Sequence, residues 1–450
     1  MLAWTTASNS DLSAGGSPPG PVDSEGEVLR KLRESPLHTL EALRREFGSI
    51  VRFPVGGVPG YLVSDPRLIK QVLETDAAHY RKGRAQRTGT ALLGQGLLAS
   101  EGELHRIRRA QLMPAFGRRH FPGYAPAIAR LATEMTDRWS DGDEVRIYPE
   151  MRNLSLRIIS LIAFDFDPSV GVTSLGNAVA DVVGPGNPAT ALFSDGPASL
   201  AGEDRSRVLR ARAVIDDFAN GIVARWKRNE GRSTPLRDAL VGPDPSHPAL
   251  DDSSIEEEVR TVLIAGHQTL TAALVWSLSL LSRNPPVADQ VEREVDEALR
   301  TLPIGQFDAR RFGYSIAFVH EVLRLYPPVW MLSRKPIDLR PLGGYIIPPE
   351  AEIMISPWLV HRDPRNFTHP LDCIPARWES GTEEATFIPF GLGPRGCIAA
   401  SHSISEVTLV LAIVCHRWSV HLAPGSSPEP IAATTLLARN DGAVTISLRG

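Results

Sequence analysis

The chain has 450 residues, 48 lysines and arginines against 52 aspartates and glutamates (net −4), 42% hydrophobic and 22% charged residues. That is the composition of a globular protein and excludes disorder for its bulk. The near-neutral balance gives no global reason to expect nucleic acid and moves the search for an acidic partner to local basic faces. Its three cysteines, Cys373, Cys397 and Cys415, are too few and too odd in number for a disulfide framework in a chain this long, and they fit a reduced cytoplasm.

In chain order, residues 1–28 read as a flexible N-terminal tail and 29–450 as one domain. Met1 to Gly26 holds no basic segment followed by an apolar run, so neither a signal peptide nor a membrane anchor is expected. Ile50 to Val63 is strand-like. Asp181 to Asp204 and Arg232 to Ser253 are rich in turn residues and read as surface loops. Thr261 to Ser282 carries no formal charge and has the length of a membrane span. However, Gly266, His267, Gln268, Thr269 and Thr271 place a polar cluster at its middle, and Glu256, Glu257, Glu258 and Arg260 continue the helical pattern upstream. The pattern predicts a long buried helix of about 28 residues, opened by a Ser254/Glu257 capping box and stopped at Asn284-Pro285-Pro286. Gly343 to Ile355 and Ala443 to Leu448 are further strand candidates, the second after an Asn440-Asp441-Gly442 turn. The expected fold class is mainly α with small β-sheets.

The segment Phe390-Gly391-Leu392-Gly393-Pro394-Arg395-Gly396-Cys397-Ile398-Ala399 precedes an apolar helix running to about Trp418. Two chemistries compete for it. Gly391, Gly393 and Gly396 match a dinucleotide-binding fingerprint with Thr386 to Phe390 as its strand. That fold needs an acid about 20 positions on and more chain than remains, whereas Glu406 is the only acid between Cys397 and Glu429. The alternative makes Cys397 a thiolate ligand. The glycines let the loop approach a flat cofactor, amides at the following helix N-terminus stabilise the sulfur, and Phe390 shields it.

The segment resembles the haem-binding loop of the cytochrome P450 family, F-x-x-G-x-R-x-C-x-[GA], with Ala399 at the last position. Phe, Gly, Arg and Cys at that spacing would arise in this composition with a probability of about 0.0007, which makes it far more specific than the glycine pattern. Glu321-Val322-Leu323-Arg324 and Arg377 resemble the family's E-x-x-R and downstream arginine, whose implied role is structural. His105 and Arg109, one helical turn apart before Pro114-Ala115-Phe116, resemble propionate-holding residues. Arg334 and Arg395 resemble two more. Ala265-Gly266-His267-Gln268-Thr269 resembles A-G-x-[DE]-T, in which the Ala-Gly pair opens a groove over the iron, Thr bonds dioxygen and the acid relays protons. Gln268 departs from it, because an amide cannot ionise.

The resemblance covers about Leu29 to Arg449. It implies a single domain enclosing haem b (iron protoporphyrin IX), with Cys397 as the metal ligand and His105, Arg109, Arg334, Phe390, Gly391, Arg395, Cys397 and Ala399 around the cofactor. Ala265, Gly266, Gln268 and Thr269 take the catalytic positions. The implied activity is monooxygenation of a hydrophobic small molecule, a lipid, terpenoid or other secondary-metabolite scaffold, in a cytoplasmic monomer. With no flavin or ferredoxin segment in the chain, a separate ferredoxin and ferredoxin reductase are the expected electron donors. His105 to His120, with five arginines and no acid, is the expected docking face. Substrate contacts are expected from Arg87 to Leu98, Asp181 to Asp204, Leu263 to Ala265, Val329 to Leu332 and Ala432 to Thr435. A haem-thiolate enzyme ending in coupling, ring closure or desaturation is an alternative motivated by Gln268. A non-catalytic haem binder or a dinucleotide-binding protein are remoter ones.

Overall fold

The computed structural model describes residues 16–22, 26–55, 57–84, 94–183, 202–242, 250–301, 303, 305–379 and 386–449. Amphipathic helices Gly26–Glu34 (α1) and Pro36–Phe47 (α2) lead into the strands Ile50–Val55 (β1), Val58–Val63 (β2) and Tyr80–Lys82 (β3). Next come Gly102–Leu112 (α3), Phe121–Thr136 (α4), Glu144–Arg146 (β4), Ile147–Phe164 (α5), Val172–Val183 (α6), Gly202–Lys227 (α7), Pro235–Val241 (α8) and Asp252–Arg283 (α9). Then follow Pro285–Leu299 (α10), Gly313–Leu325 (α11), Leu332–Pro336 (β5), Arg340–Leu342 (β6), Tyr345–Ile347 (β7) and Glu352–Ile355 (β8). The chain closes with Ala400–Arg417 (α12), Trp418–Leu422 (β9), Pro430–Ala432 (β10), Leu436–Ala438 (β11) and Ala443–Leu448 (β12).

The segment Ile50 to Val63 forms the hairpin β1–β2, with Ile50 opposite Val63 and Val55 opposite Val58. It belongs to a five-stranded sheet of order β1-β2-β8-β5-β3, in which only the β2–β8 pair is parallel. β12 lies between β4 and β9 in a three-stranded sheet. Arg52 N–H donates to Pro19 O at 2.9 Å, and Val28 of α1 is fully buried, so packing already involves residues within the segment read as a tail. Of the two expected loops, residues 184–201 and 243–249 lie outside the described residues, as do 85–93 of the expected substrate loop. The region after Arg232 contains α8, which the loop reading missed. Thr234 caps it by accepting from Arg237 N at 3.1 Å, and Pro235 suits its first turn.

The long helix α9 forms as the periodicity predicts and ends at Asn284, but it starts earlier than expected. Asp251 is its N-cap, its carboxylate accepting from Ser254 N at 2.8 Å, so Ser254 sits in the first turn and the helix reaches 32 residues. An acid in this position stabilises the helix dipole as well as an orphan amide, which a hydroxyl one turn later cannot do. Between 258 and 281 every residue is buried except Ala265, Gly266 and Thr269. The helix is thus a core element, each fully buried Leu, Val or Trp contributing about 1.5–3 kcal/mol. A Cβ on Gly266 would lie 2.6 Å from Ile159 Cδ1 of α5. The glycine therefore lets α9 approach α5, a different use from the expected groove over the cofactor. Beside it, His267 Nδ1 and Thr271 Oγ1 meet Ser155 Oγ at 2.9 and 2.6 Å.

On α11, Glu321 and Arg324 form a bidentate pair, both bonds 2.8 Å, with both side chains fully excluded from solvent. Glu321 also accepts from Arg377 Nε at 3.1 Å, Ile374 N at 2.9 Å and Trp378 Nε1 at 3.0 Å. Arg324 spends its remaining donors on His361 O, Pro370 O and Asp372 O. The hydrogen-bonding groups of both Glu321 and Arg324 are thus all met, the condition under which a buried pair is tolerated. Glu321→Ala leaves two arginines without their anion and is expected to cost about 3–5 kcal/mol, read as a lowered urea midpoint. A midpoint equal to wild type would show that the carboxylate is dispensable to the fold.

Candidate active site

Residues 390–399 form a tight loop leading into α12. Cys397 N–H donates to Phe390 O at 2.9 Å, Gly391 N to Ile388 O at 3.1 Å and Gly396 N to Gly393 O at 3.0 Å. Gly391 and Gly393 have φ of 68° and 66°, and a Cβ on Gly393 would stand 2.2 Å from Leu73 O, so this turn needs glycine there. Residues 386–390 form no strand, which removes the dinucleotide reading.

Cys397 has no disulfide partner, and its side chain is exposed although protein surrounds it on most sides. That enclosure pushes its thiol pKa up, while the backbone N–H of Ala399 and the Arg109 guanidinium pull it down. Burial pushes Glu406, on α12, up to about 8, so at pH 7 most of it is neutral and opposes a thiolate little. Cys373 and Cys415 are enclosed and pushed up to about 12, as expected of inert cysteines.

The buried face of α9 opens at Ala265, which is exposed, and at Thr269, one turn on and half-buried. Thr269 Oγ1 donates to Ala265 O at 2.7 Å. Gln268 is buried, and Thr435 Oγ1 donates to its Oε1 at 3.4 Å, beside the Ala432 to Thr435 turn. Trp330 Nε1 holds the same turn through Ala433 O at 2.7 Å, and Trp276 Nε1 holds Leu436 O at 2.9 Å. The expected substrate-lining pieces Leu263 to Ala265, Val329 to Leu332 and Ala432 to Thr435 are thus joined around one helix.

The cationic residues expected around the cofactor are brought together. Arg109 Nη1 donates to Gly396 O at 2.7 Å. Arg395 Nη1 donates to Ser100 O at 3.2 Å, and its Nη2 pairs with Glu101. Arg334 is buried on β5, directly opposite Lys82 on β3. No sequence motif marks Lys82. It is buried, donates through Nζ to Leu98 O and to Ser100 O (3.0 Å), and is pushed down to about 7, first by burial and then by Arg395. Burial lowers His105 to about 4, helped by Arg395, Lys82, Arg109 and Arg334 in that order. His105 is therefore a neutral hydrogen-bonding group at pH 7. Like charges directly across a ladder are destabilising. A buried Lys–Arg pair with two further arginines, and Glu101 as the carboxylate bonded to the cluster, is an environment built for an anion.

The expected basic docking face is smaller than the sequence implied. Arg108 is buried with its Nε 3.7 Å from Glu258, Arg109 turns inward, and Arg106 pairs with Glu103. Arg118 and Arg119 are exposed. Helical phase explains the loss, since residues 105, 108, 109 and 112 share the inward face of α3.

A flat cofactor bearing two acidic groups and a thiolate-binding metal suits this donor set: an accessible thiol, backbone amides beside it, three arginines with the part-protonated Lys82, and an open face on α9. Comparison with known proteins agrees. The family model for cytochrome P450 matches residues 17–446. Cyclooctatin synthase of Streptomyces melanosporofaciens is 29% identical over 93% of this chain and 93% of its own length. Pentalenene oxygenase of Streptomyces avermitilis is 27% identical over 94% of each. Cyclooctat-9-en-7-ol 5-monooxygenase, again of Streptomyces melanosporofaciens, is 28% identical over 94% of this chain and 91% of its own. This chain belongs to the cytochrome P450 family. It is an oxidoreductase of that haem-binding class, whose members take electrons from redox partners and act on hydrophobic substrates.

The three cysteines differ enough in access and pKa to be told apart chemically. In the native haem-free chain at pH 8, iodoacetamide is expected to label Cys397 alone, because a thiol titrating near 12 is only about 10⁻⁴ thiolate there. Peptide mass spectrometry reads the outcome. Labelling of Cys373 or Cys415 at a comparable rate would refute the assignment of accessibility.

Proposed function

We propose that this protein is a monooxygenase that holds haem b through Cys397 and oxidises an apolar, terpenoid-type carbon skeleton in secondary metabolism. The observation that carries the reading is the accessible Cys397 thiol at the start of α12, beside the cluster of Lys82, Arg109, Arg334 and Arg395. In this reading Cys397 would hold the haem iron through its sulfur, and Phe390, Gly391 and Ala399 shape its surroundings. His105, Arg109, Arg334, Arg395 and Lys82 take the propionates. When bound, the group supplies reductive activation of dioxygen and delivery of one oxygen atom to carbon.

The chain's own residues do the rest. Ala265 leaves room against the helix, and Thr269 presents a hydroxyl whose proton goes to Ala265 O, leaving its lone pairs to accept a hydrogen bond from water at the opening. The walls at Leu263 to Ala265, Val329 to Leu332 and Ala432 to Thr435 are mainly apolar and exclude water. Relatives named for pentalenene and cyclooctat-9-en-7-ol support an apolar substrate of that kind. A ferredoxin, reduced by its reductase, supplies the electrons. Arg118 and Arg119 are the exposed cations left for it on the face that follows α3.

Two measurements test the proposal. Reduced protein under carbon monoxide is expected to show the red-shifted absorbance of thiolate ligation, lost in Cys397→His and kept in Cys373→Ser and Cys415→Ser. Loss in either serine variant would misplace the ligand. For the partner, Arg118→Glu with Arg119→Glu is expected to slow ferredoxin-supported reduction about tenfold at low salt, the wild-type rate falling as salt rises. Equal rates for the two proteins at low salt would leave these arginines as ordinary surface.

A further inference from the structure

A second buried carboxylate lies outside the roles assigned so far. Glu258 sits on α9, seven residues before Ala265 and so on the same stripe of the helix, and it is fully buried. Its Oε2 accepts the backbone N–H of Leu97 at 3.0 Å, a contact between elements 161 residues apart. Its Oε1 faces Arg108 Nε at 3.7 Å, an ion pair without a hydrogen bond.

The loop that Glu258 grips is shaped to reach it. Gly94 has φ 79°, and a Cβ there would meet Glu257 Oε1 at 2.4 Å. A Cβ on Gly96 would stand 2.2 Å from Thr261 Oγ1 and 2.8 Å from Glu257 O. Gly96 thus lets loop 94–100 lie directly on the first half of α9, while the positive φ of Gly94 sets the turn into it. A few residues on, the same loop is gripped from the opposite side. Leu98 O and Ser100 O accept from Lys82, and Ser100 O accepts from Arg395 of the Cys397 loop. Loop 94–100 is therefore a strap from α9 to the cation cluster, and the Leu97–Glu258 bond is its anchor at the α9 end.

We infer that Glu258 is a positioning residue: it latches loop 94–100 onto α9 and so fixes one wall of the opening at Ala265 and Thr269, with Arg108 holding the carboxylate in place. Placing that wall at a substrate opening rests on the function proposed above. The latch itself is a property of the chain alone. Burial pushes Glu258 up to about 7, yet ionised or neutral its Oε2 can accept the Leu97 amide, at a point where no water competes. A surface loop held only by apolar contact would exchange its amides far faster.

Hydrogen exchange on the full chain, read on a peptide spanning 94–101, tests the latch with or without cofactor. Glu258→Leu is expected to raise exchange in this peptide on the order of 100-fold while α12 peptides keep wild-type rates. Glu258→Gln, which keeps an acceptor for Leu97 N–H, should stay within about tenfold of wild type. If Glu258→Leu does not fold, Gly96→Ala lifts the loop without touching the carboxylate and should give the same local loss. For the wall, release of 4-phenylimidazole from haem-loaded protein, followed by absorbance, should quicken at least about fivefold in Glu258→Leu or Gly96→Ala and return toward wild type in Glu258→Gln. Unchanged exchange at 94–101 overturns the latch. Lost protection with unchanged release overturns its role at the opening. Failure of the wild type to take up haem refutes the proposed function and leaves the exchange result to decide the latch.

Discussion

One buried carboxylate has to be neutralised for this chain to fold, and its neutralisation places the exposed thiol of Cys397. Glu321 gathers Arg324 of its own helix, Arg377 and the amide of Ile374 from a segment about 50 residues later. Arg324 in turn binds His361 O, and its own carbonyl meets His361 Nδ1 at 3.1 Å. His361 Nε2 accepts Ile388 N–H at 2.9 Å, so the network assigns the ring proton to Nδ1. Burial lowers its pKa to about 3, which keeps it neutral and able to accept. From Ile388 the bonds pass to Gly391 and from Phe390 to Cys397. A charge pair deep in α11 thereby fixes the loop bearing the thiol, one hydrogen bond at a time.

On the other side of that loop the organising force has the opposite character. Lys82 and Arg334 face each other across β3 and β5, and Arg109 and Arg395 come in from α3 and the Cys397 loop. The fold assembles mutual repulsion here and offsets it in part with Glu101 and with the carbonyls of loop 94–100. Whereas the Glu321 network is closed, with each partner answered inside the protein, this cluster is left rich in positive charge. The contrast separates a structural charge network from a binding one, although both are built from arginines and buried acids.

The sequence made legible whatever depends on local pattern or on a dense motif. α9, its stop at Asn284, the hairpin at Ile50 to Val63, β12 and the loop around Cys397 all follow from periodicity, turn residues or spacing within ten residues. What stayed hidden depends on partners far along the chain. Lys82 looks like any solvated lysine until β5 puts Arg334 opposite it. Glu258 reads as one of three consecutive acids, and only the descent of Leu97 onto α9 distinguishes it. Arg108 looks solvated in a run of arginines without acids, yet the acid it faces lies 150 residues away. At Gly266 the sequence motif gives no sign of Ile159 on α5, whose side chain leaves no room there for a Cβ. Short strands such as β3, β6 and β10, three residues each, carry too little pattern to be read at all.

The departure at Gln268 can be read physically in this setting. Its side chain is buried, and the partner of its Oε1 is the neutral hydroxyl of Thr435. A carboxylate there would have to lose its hydration against a hydroxyl alone, a cost of several kcal/mol that an amide avoids. Gln268 thus suits a supporting position between α9 and the turn at Ala432 to Thr435, and it cannot exchange a proton as an acid does. On the proposed reading, the protic side chain left on the open stripe of α9 is Thr269, already anchored to Ala265 O. Thr269 and solvent are then the protic groups at the opening, with the neighbouring amide setting the shape of the wall. The residue that breaks the family pattern and the hydroxyl that keeps it are consecutive, and the helix separates their duties by pointing one at the turn and the other at the opening.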